Sequence, residues 1–512
     1  MTTTDFKKQL PLNLSANLGY FLLRVIIGLW MVPFLISFLG VEAYGFIPLA
    51  TSVIAYVDLL TFSLNAAVSR YLVIALQKDD YEGANKIFNT AFGTLSLVAV
   101  ILVPAAALFS YYSPGIFNIP SGLTYEVRWL FFAILISFIV SVFCSVFSVS
   151  TFVNNRLDLR NLIEVGNIVS RTFLIVFSCV FLQASLVSVG AAYFAGGCVS
   201  LALGYYYFKR LTPELKISPV YFDSSKLSEL SSMSGWIVVN QIGSLLFVQI
   251  DLIMANILFG AYEAGNYAAI IQWSFLLRTL AGVIAGVLTP MMFISHARDE
   301  TEKIIGMSRS AVKFMGFGMA VPIGLVCGLA EPILTVWLGR DFAGYTPLLW
   351  VLLFHLAINL AVLPLLSVNN TLNRVKVPGL VTFFMGILNL ILAVILGGYG
   401  GWGLYGIAAA GAIVLTLKNA VFTPFYAAHI LKIPYCTFVR PLGVGVLLAA
   451  VSMGAGLAFN YLFVIDGWLT LFVAGGMAFI LLELLGFIML GRDRNMLISL
   501  LKAGRYGSWS HR

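Results

Sequence analysis

Charge is scarce in this chain: 10% of its 512 residues are Asp, Glu, Lys or Arg, against 60% hydrophobic and 14% aromatic. Such a chain cannot fold in water without exposing most of its core, so a soluble globule is excluded and a polytopic membrane protein is expected. Histidine is scarcer still, at His296, His355, His429 and His511, with no HExxH and no clustered carboxylates. That excludes a membrane metalloprotease, and no metal site and no catalytic residue is expected. The cysteines Cys144, Cys179, Cys198, Cys327 and Cys436 are scattered, without CxxC spacing or loop pairing, and read as small apolar residues. GxxxxGK[ST] is missing, so there is no built-in ATPase and no cofactor is expected; energy would come from H+, Na+, the membrane potential or substrate flow. No basic domain carries the net charge of +8, which leaves no nucleic-acid partner. The N-terminal stretch MTTTDFKKQLPLNLSANLGY lacks the short apolar region and small-residue site of a cleaved leader.

What the chain has is long apolar runs. About fourteen are long enough to cross a hydrocarbon core of about 30 Å as helix, beginning near residues 14, 44, 87, 127, 161, 186, 233, 263, 307, 346, 377, 402, 440 and 468. With the N-terminus inside, only Arg128 and Arg340 of the cations outside spans fall on the outer face. That asymmetry orients the chain with both termini cytoplasmic. Residues 1–210 read as a six-helix bundle, 211–230 as a cytoplasmic linker, 231–430 as a second bundle, 431–491 as an extra hairpin and 492–512 as a cytoplasmic tail.

The halves echo each other at an offset that drifts from about 220 to about 215 residues. GVEAYGF at 40 to 46 matches GAYEAGNY from 260, VPAAALFSYYSP at 103 to 114 matches VPIGLVCGLAEP from 321, VNNRL at 153 matches VNNTL at 368, and VGAAYFAG at 189 matches YGIAAAGA at 405. Six spans per half is an even number, so the repeat is parallel, with its axis along the membrane normal. Such proteins bind cargo between the halves near the midplane and rock to expose it to each side, which points to transport.

An ionised group at mid-span costs roughly 2.5–3.5 kcal/mol on insertion scales, so it should face protein or water and have a partner. The deep set is Arg24, Asp58, Arg171, Asp251, Arg278, Lys418 and Glu483. Asp58, about 14 residues into its span, and Arg278 stand at equivalent positions of the repeat. Either they meet across a cleft when it is shut, or each is a static pair with a partner in its own half. Arg24 lies too deep for its stem to reach the interface, and Asp251 is its nearest counterpart. Lys418 and Arg171 sit within about two turns of a helix end, where long cations can snorkel. Asp58 and Asp251 are the candidates for gating or ion coupling. Four bases against three acids favour an anionic cargo.

Residues 17 to 70, with Asn and Pro in the first helix, then LGVEAYG, an Asp-Leu some dozen residues later and Arg70 at the cytoplasmic end, resemble the Wzx-type polysaccharide and O-antigen flippases of the multidrug/oligosaccharidyl-lipid/polysaccharide exporter superfamily. The resemblance implies an all-α protein of the bacterial inner membrane, with two six-helix bundles in a V-shaped arrangement around a cationic cavity. It implies the movement of undecaprenyl-diphosphate-linked oligosaccharide units from inner to outer leaflet, with Arg24, Arg278, Lys418 and Arg171 binding the headgroup. The partners implied are that lipid-linked substrate, membrane lipids, and the polysaccharide polymerase and chain-length machinery. The extra hairpin resembles that of peptidoglycan lipid flippases and keeps a lipid II-type substrate open. A cation-coupled multidrug exporter of the same fold, and a membrane glycan polymerase or ligase, are the competing readings; short outer loops count against the last.

Overall fold

The computed structural model describes residues 3–225, 235–286, 288–463 and 465–489; the end of the linker at 226–230 and the tail 492–512 lie outside the described residues. Among the described residues the protein is all-helical. Eleven helices are long and apolar enough to cross a membrane, and a twelfth span is made by Val238–Val248 and Ile250–Phe259, bent by 43° at their junction. The other two of the fourteen runs form the helix Val41–Gln77 and a shorter apolar helix, Trp468–Leu484.

The first six helices are α1 (Thr3–Leu39), α2 (Val41–Gln77), α3 (Tyr81–Ile116), α4 (Thr124–Val153), α5 (Leu157–Phe181) and α6 (Leu186–Leu211). By internal contacts the chain forms two compact units, Met1–Leu245 with Ala255–Gly265, and Leu246–Met254 with Asn266–Arg512. The division therefore runs through the bent span rather than at 231, and the final hairpin belongs to the second unit.

Duplication is written in the backbone. Asp79 (φ 57°) and Asp299 (φ 56°) are left-handed, as are Asn155 and Asn373 (both φ 53°), at offsets of about 220 and about 218. Each ends a helix in the same way: Asp80 N–H reaches Ala75 O at 3.0 Å and Glu300 N–H reaches Ser295 O at 2.9 Å, while Arg156 N–H to Thr151 O (2.7 Å) mirrors Arg374 N–H to Asn369 O (2.8 Å). Asp and Asn are the non-glycine residues that tolerate this conformation, so the turn chemistry survives where most side chains have diverged.

Within the first unit, Phe88, Phe147 and Phe208 pack with Val68, Leu72 and Leu95 into one core, Phe88 stacking on Phe208 at 4.9 Å. The segment after α6 does not float. Asn85 donates to Glu214 O (3.1 Å) and accepts from Lys216 N–H (2.7 Å); one turn on, Asn89 donates to Lys216 O (2.7 Å) and accepts from Ser218 N–H (2.8 Å). Two amides spaced i, i+4 on α3 thus stand in for a neighbouring strand. Asn85→Ala with Asn89→Ala removes four such bonds, each worth ~1 kcal/mol net. Trypsin should then cut at Lys216 several-fold faster, and an unchanged rate would show that other contacts hold the segment.

In the second unit the helix Val439–Leu462 of the extra hairpin lies tightly along Thr301–Gly328. A Cβ on Gly328 would stand 2.8 Å from Gly456 Cα, and one on Gly324 would strike Ser452 Cβ at 2.5 Å. Small residues let helices approach closely where lipid offers no hydrophobic drive to associate. Gly328→Leu should lower the melting temperature in detergent by the equivalent of ~1–3 kcal/mol of overpacking. Gly454→Ala, with open space around it, should leave it unchanged.

Candidate functional site

Two groups of polar residues interrupt the apolar helices, one in each unit. In the first, Tyr20 and Arg24 sit one turn apart on α1, and Arg24 with Glu164 and Arg171 of α5 lie close enough to act on the Tyr20 phenol electrostatically. Glu164 and Arg171 are seven residues apart and so lie on one face of α5. The Arg171 guanidinium lies over the Tyr193 ring of α6, 4.4 Å from its centroid, a cation–π contact that holds the charge while leaving its N–H donors available. Arg24 is exposed and Arg171 half-buried. Two of the cations singled out from the sequence are thus brought to one place, together with Tyr20, Glu164 and Tyr193, which were not. Asp58 lies on α2 in this unit with its side chain exposed.

The second group is built around the bent span. The break at Gln249 starts a new helix, Ile250–Phe259, and places Asp251 in its first turn, where the helix dipole favours a carboxylate. Asp251 is 5% exposed. It accepts from the Tyr267 hydroxyl at 3.2 Å and from the Asn389 amide at 3.3 Å, while that amide also donates to Leu246 O at 2.9 Å. Arg278, half-buried, donates to Ser274 Oγ at 3.1 Å and is attracted electrostatically by Asp251. Asp251 and Arg278 thus share one small polar pocket of the second unit without forming an ion pair.

His355 completes this group at the interruption between the helices Thr346–Leu353 and Leu356–Asn359. The Asn359 amide stands 2.6 Å from His355 Nδ1. Asp251, Arg278, Ser274 and His355 line a cavity of about 20 Å³ open to water-sized molecules, room for about one. The Asn389 Oδ1 atom is buried with no hydrogen-bond partner among the described residues, and a Cβ on Gly411 would come within 3.4 Å of Asp251 Oδ2 and 3.7 Å of that oxygen. Glycine at 411 keeps this small space open.

Lys418 stands apart from both groups. It is 9% exposed and opens a π-helical segment, Lys418–Phe422, within the span Gly403–Leu431. Such segments cost regular hydrogen bonding and recur at functional positions. Lys418 is about one turn beyond Leu415, a residue of the cavity wall. Among the described residues its ammonium makes no ion pair and donates no hydrogen bond to a side chain. Glu483, half-buried on Trp468–Met489, likewise shows no pairing among the described residues.

Residues 13–296 match the family described as "Polysaccharide biosynthesis protein". The chain is 35% identical over 472 residues to the uncharacterized membrane protein EpsK of Bacillus subtilis (strain 168), covering 91% of this chain and 92% of that one. It is 22% identical over 340 residues to a Shigella flexneri protein that carries the name of an O-antigen transporter, covering 64% of this chain and 76% of that one. Among solved structures it is similar to the lipid II flippase MurJ in an inward closed conformation, with a TM-score of 0.65 at 14% identity over 94% of this chain and 100% of that one. An inward-facing multidrug resistance MATE transporter of the MOP superfamily gives a TM-score of 0.62 at 15% identity, over 85% and 98%. At these identities the structural likeness shows the fold alone.

Proposed function

This chain belongs to the family of polysaccharide biosynthesis proteins, and on that premise we propose that it is a flippase. It moves undecaprenyl-diphosphate-linked oligosaccharide units from the inner to the outer leaflet of the bacterial cell membrane by alternating access. The curated relative whose name gives an activity is a transporter, which favours transport over the polymerase or ligase reading.

The observation that carries the proposal is Lys418. A buried ammonium in an apolar span, with no anion of its own among the described residues, is tolerated only if an anion visits it or water reaches it. A diphosphate meets that need. Arg24 and Arg171 supply guanidiniums, which are weakly hydrated and take phosphate oxygens bidentately, so they can replace the water a diphosphate sheds on leaving the aqueous phase. The polyprenyl tail stays in lipid, and only the headgroup needs a polar path.

Asp251 is the ion-coupling group of this reading. Its carboxylate, the Asn389 Oδ1 that has no partner among the described residues and the Tyr267 hydroxyl offer oxygen ligands beside a cavity large enough for one small cation or water. Arg278 sits beside them, so a cation arriving at Asp251 competes with the guanidinium and frees Arg278 for the anionic headgroup. Asp58 is assigned a gating role on α2.

Reconstitution tests the proposal. Proteoliposomes loaded with a fluorescent polyprenyl-diphosphate oligosaccharide in one leaflet should pass it to the other at rates well above protein-free vesicles. Extrusion of lipophilic cations with no transfer of the labelled lipid would instead establish a multidrug exporter. Transfer confined to lipid II would establish a peptidoglycan precursor flippase.

A further inference from the structure

A third set of cations lies away from both polar groups and from Lys418. Arg309 and Lys313, one turn apart on Thr301–Gly328, and Arg440, in the first turn of Val439–Leu462, line a single groove of about 430 Å³ together with Thr437 and Val444. No carboxylate lines it. Arg309 and Arg440 are exposed, and among the described residues neither makes an ion pair. Lys313 is half-buried, with its ammonium 6.0 Å from the Phe317 ring centroid.

Arg309 and Arg440 converge on this groove with no ion pair of their own among the described residues, and like charges so placed repel one another unless an anion joins them. The surroundings say what kind of anion. From Arg440 the steps of four, three and four residues lead along one helix face to Val444, Leu447 and Val451, which are 38%, 62% and 48% exposed. A cationic groove thus runs directly into an exposed apolar track on the hairpin helix. The distribution of Lys and Arg along the chain puts this end at the cytoplasmic interface, where anionic lipids are abundant and basic pockets between helices hold their headgroups. A free phosphate would make no use of the track, whereas a phospholipid uses both parts.

We propose that the groove between Thr301–Gly328 and Val439–Leu462 binds the headgroup of an anionic phospholipid of the cytoplasmic leaflet, with Arg309, Lys313 and Arg440 on its phosphates and an acyl chain along Val444, Leu447 and Val451. The proposal shares with the flippase reading only the orientation of the chain. It gives the extra hairpin a task, since both walls of the groove exist only because Val439–Leu462 packs on Thr301–Gly328.

Native mass spectrometry of the full chain, titrated with phosphatidylglycerol or phosphatidylcholine, tests it. The parent protein should hold phosphatidylglycerol about 10-fold or more tightly than phosphatidylcholine. At about 1 kcal/mol per cation near the surface, Arg309→Gln with Arg440→Gln should weaken phosphatidylglycerol about 30-fold, while Arg309→Lys with Arg440→Lys retains most of it. Lys86→Gln with Lys209→Gln removes equal charge elsewhere and should change little. Equal retention of the two lipids by the parent protein, or unchanged phosphatidylglycerol binding in the Gln pair, overturns the proposal.

Cys436 lines the same groove and is exposed. In a Cys198→Ser background, its reaction with maleimide should slow in phosphatidylglycerol vesicles and not in phosphatidylcholine; equal rates would place the lipid elsewhere. None of these measurements needs oligosaccharide transfer. A chain that binds phosphatidylglycerol yet moves no diphosphate-linked lipid sinks the flippase reading and leaves this one standing.

Discussion

Lys418→Met should abolish transfer of the diphosphate-linked lipid while leaving the folded protein as stable as the parent, or more so. The two effects have opposite signs for one reason. Methionine fills about the same volume without a charge, so the desolvation cost of burying an unpartnered ammonium disappears. The same change removes a charge-assisted contact to the headgroup, and truncating one partner of a buried charge pair costs 2–5 kcal/mol. Transfer should therefore fall by at least about 30-fold, the equivalent of ~2 kcal/mol. A purely structural lysine would give the reverse pattern, with lower stability and transfer reduced only in proportion to folded protein. Melting temperature and proteoliposome transfer, measured on one preparation, decide between them. Normal transfer by the Met variant would remove the central support of the proposed function.

Asp251→Asn should uncouple transport from its ion gradient. Asparagine keeps the shape and can still accept from Tyr267, but it supplies no negative charge for a cation. Gradient-driven transfer should drop about 100-fold or more, whereas exchange of labelled for unlabelled lipid at equilibrium, which needs no gradient, should persist. The substitution also removes the carboxylate whose field acts on the half-buried Arg278 guanidinium, so the melting temperature should fall. Adding Arg278→Gln should restore most of that stability without restoring coupling. If Asp251→Asn responds to Na+ and H+ gradients as the parent does, coupling lies elsewhere. If the double variant stays as unstable as the single one, Asp251 and Arg278 are not an energetic pair.

The charged members of both groups other than Glu164 were legible in the sequence, because an ion in an apolar run has nowhere bland to be. Their neutral partners were not. Tyr20, Tyr193 and Tyr267 belong to a residue type that crowds membrane helices for its amphipathic ring, and His355 and Asn359 are chemistry only because a helix breaks between them. Asn389, a lone amide in the apolar helix Lys376–Ala393, was the one available signal, since an unsatisfied amide is costly in hydrocarbon. Partnership was harder to read than depth. The repeat set Asp58 against Arg278 and Asp251 against Arg24, yet in space Asp251 and Arg278 attract each other, and Arg24 shares its surroundings with Tyr20, Glu164 and Arg171. Contact depends on how each bundle packs within itself.

Apolar run length and loop charge determined that this is a many-spanning helical protein, and the drifting offset of its echoes determined that it is duplicated. Both follow from rules that act locally: a bilayer requires about 20 apolar residues per crossing, and turn chemistry at Asp79, Asn155, Asp299 and Asn373 depends on single residues. Only the tertiary structure decided where the bent span breaks, that residues 214 to 218 are zipped to α3, that Lys418 meets no counter-ion among the described residues, and that three cations meet beside the hairpin. Those outcomes depend on which helix faces which. That is fixed by close packing of small residues such as Gly324 and Gly328 and by hydrogen bonds between residues more than a hundred positions apart, neither of which leaves a period in the sequence.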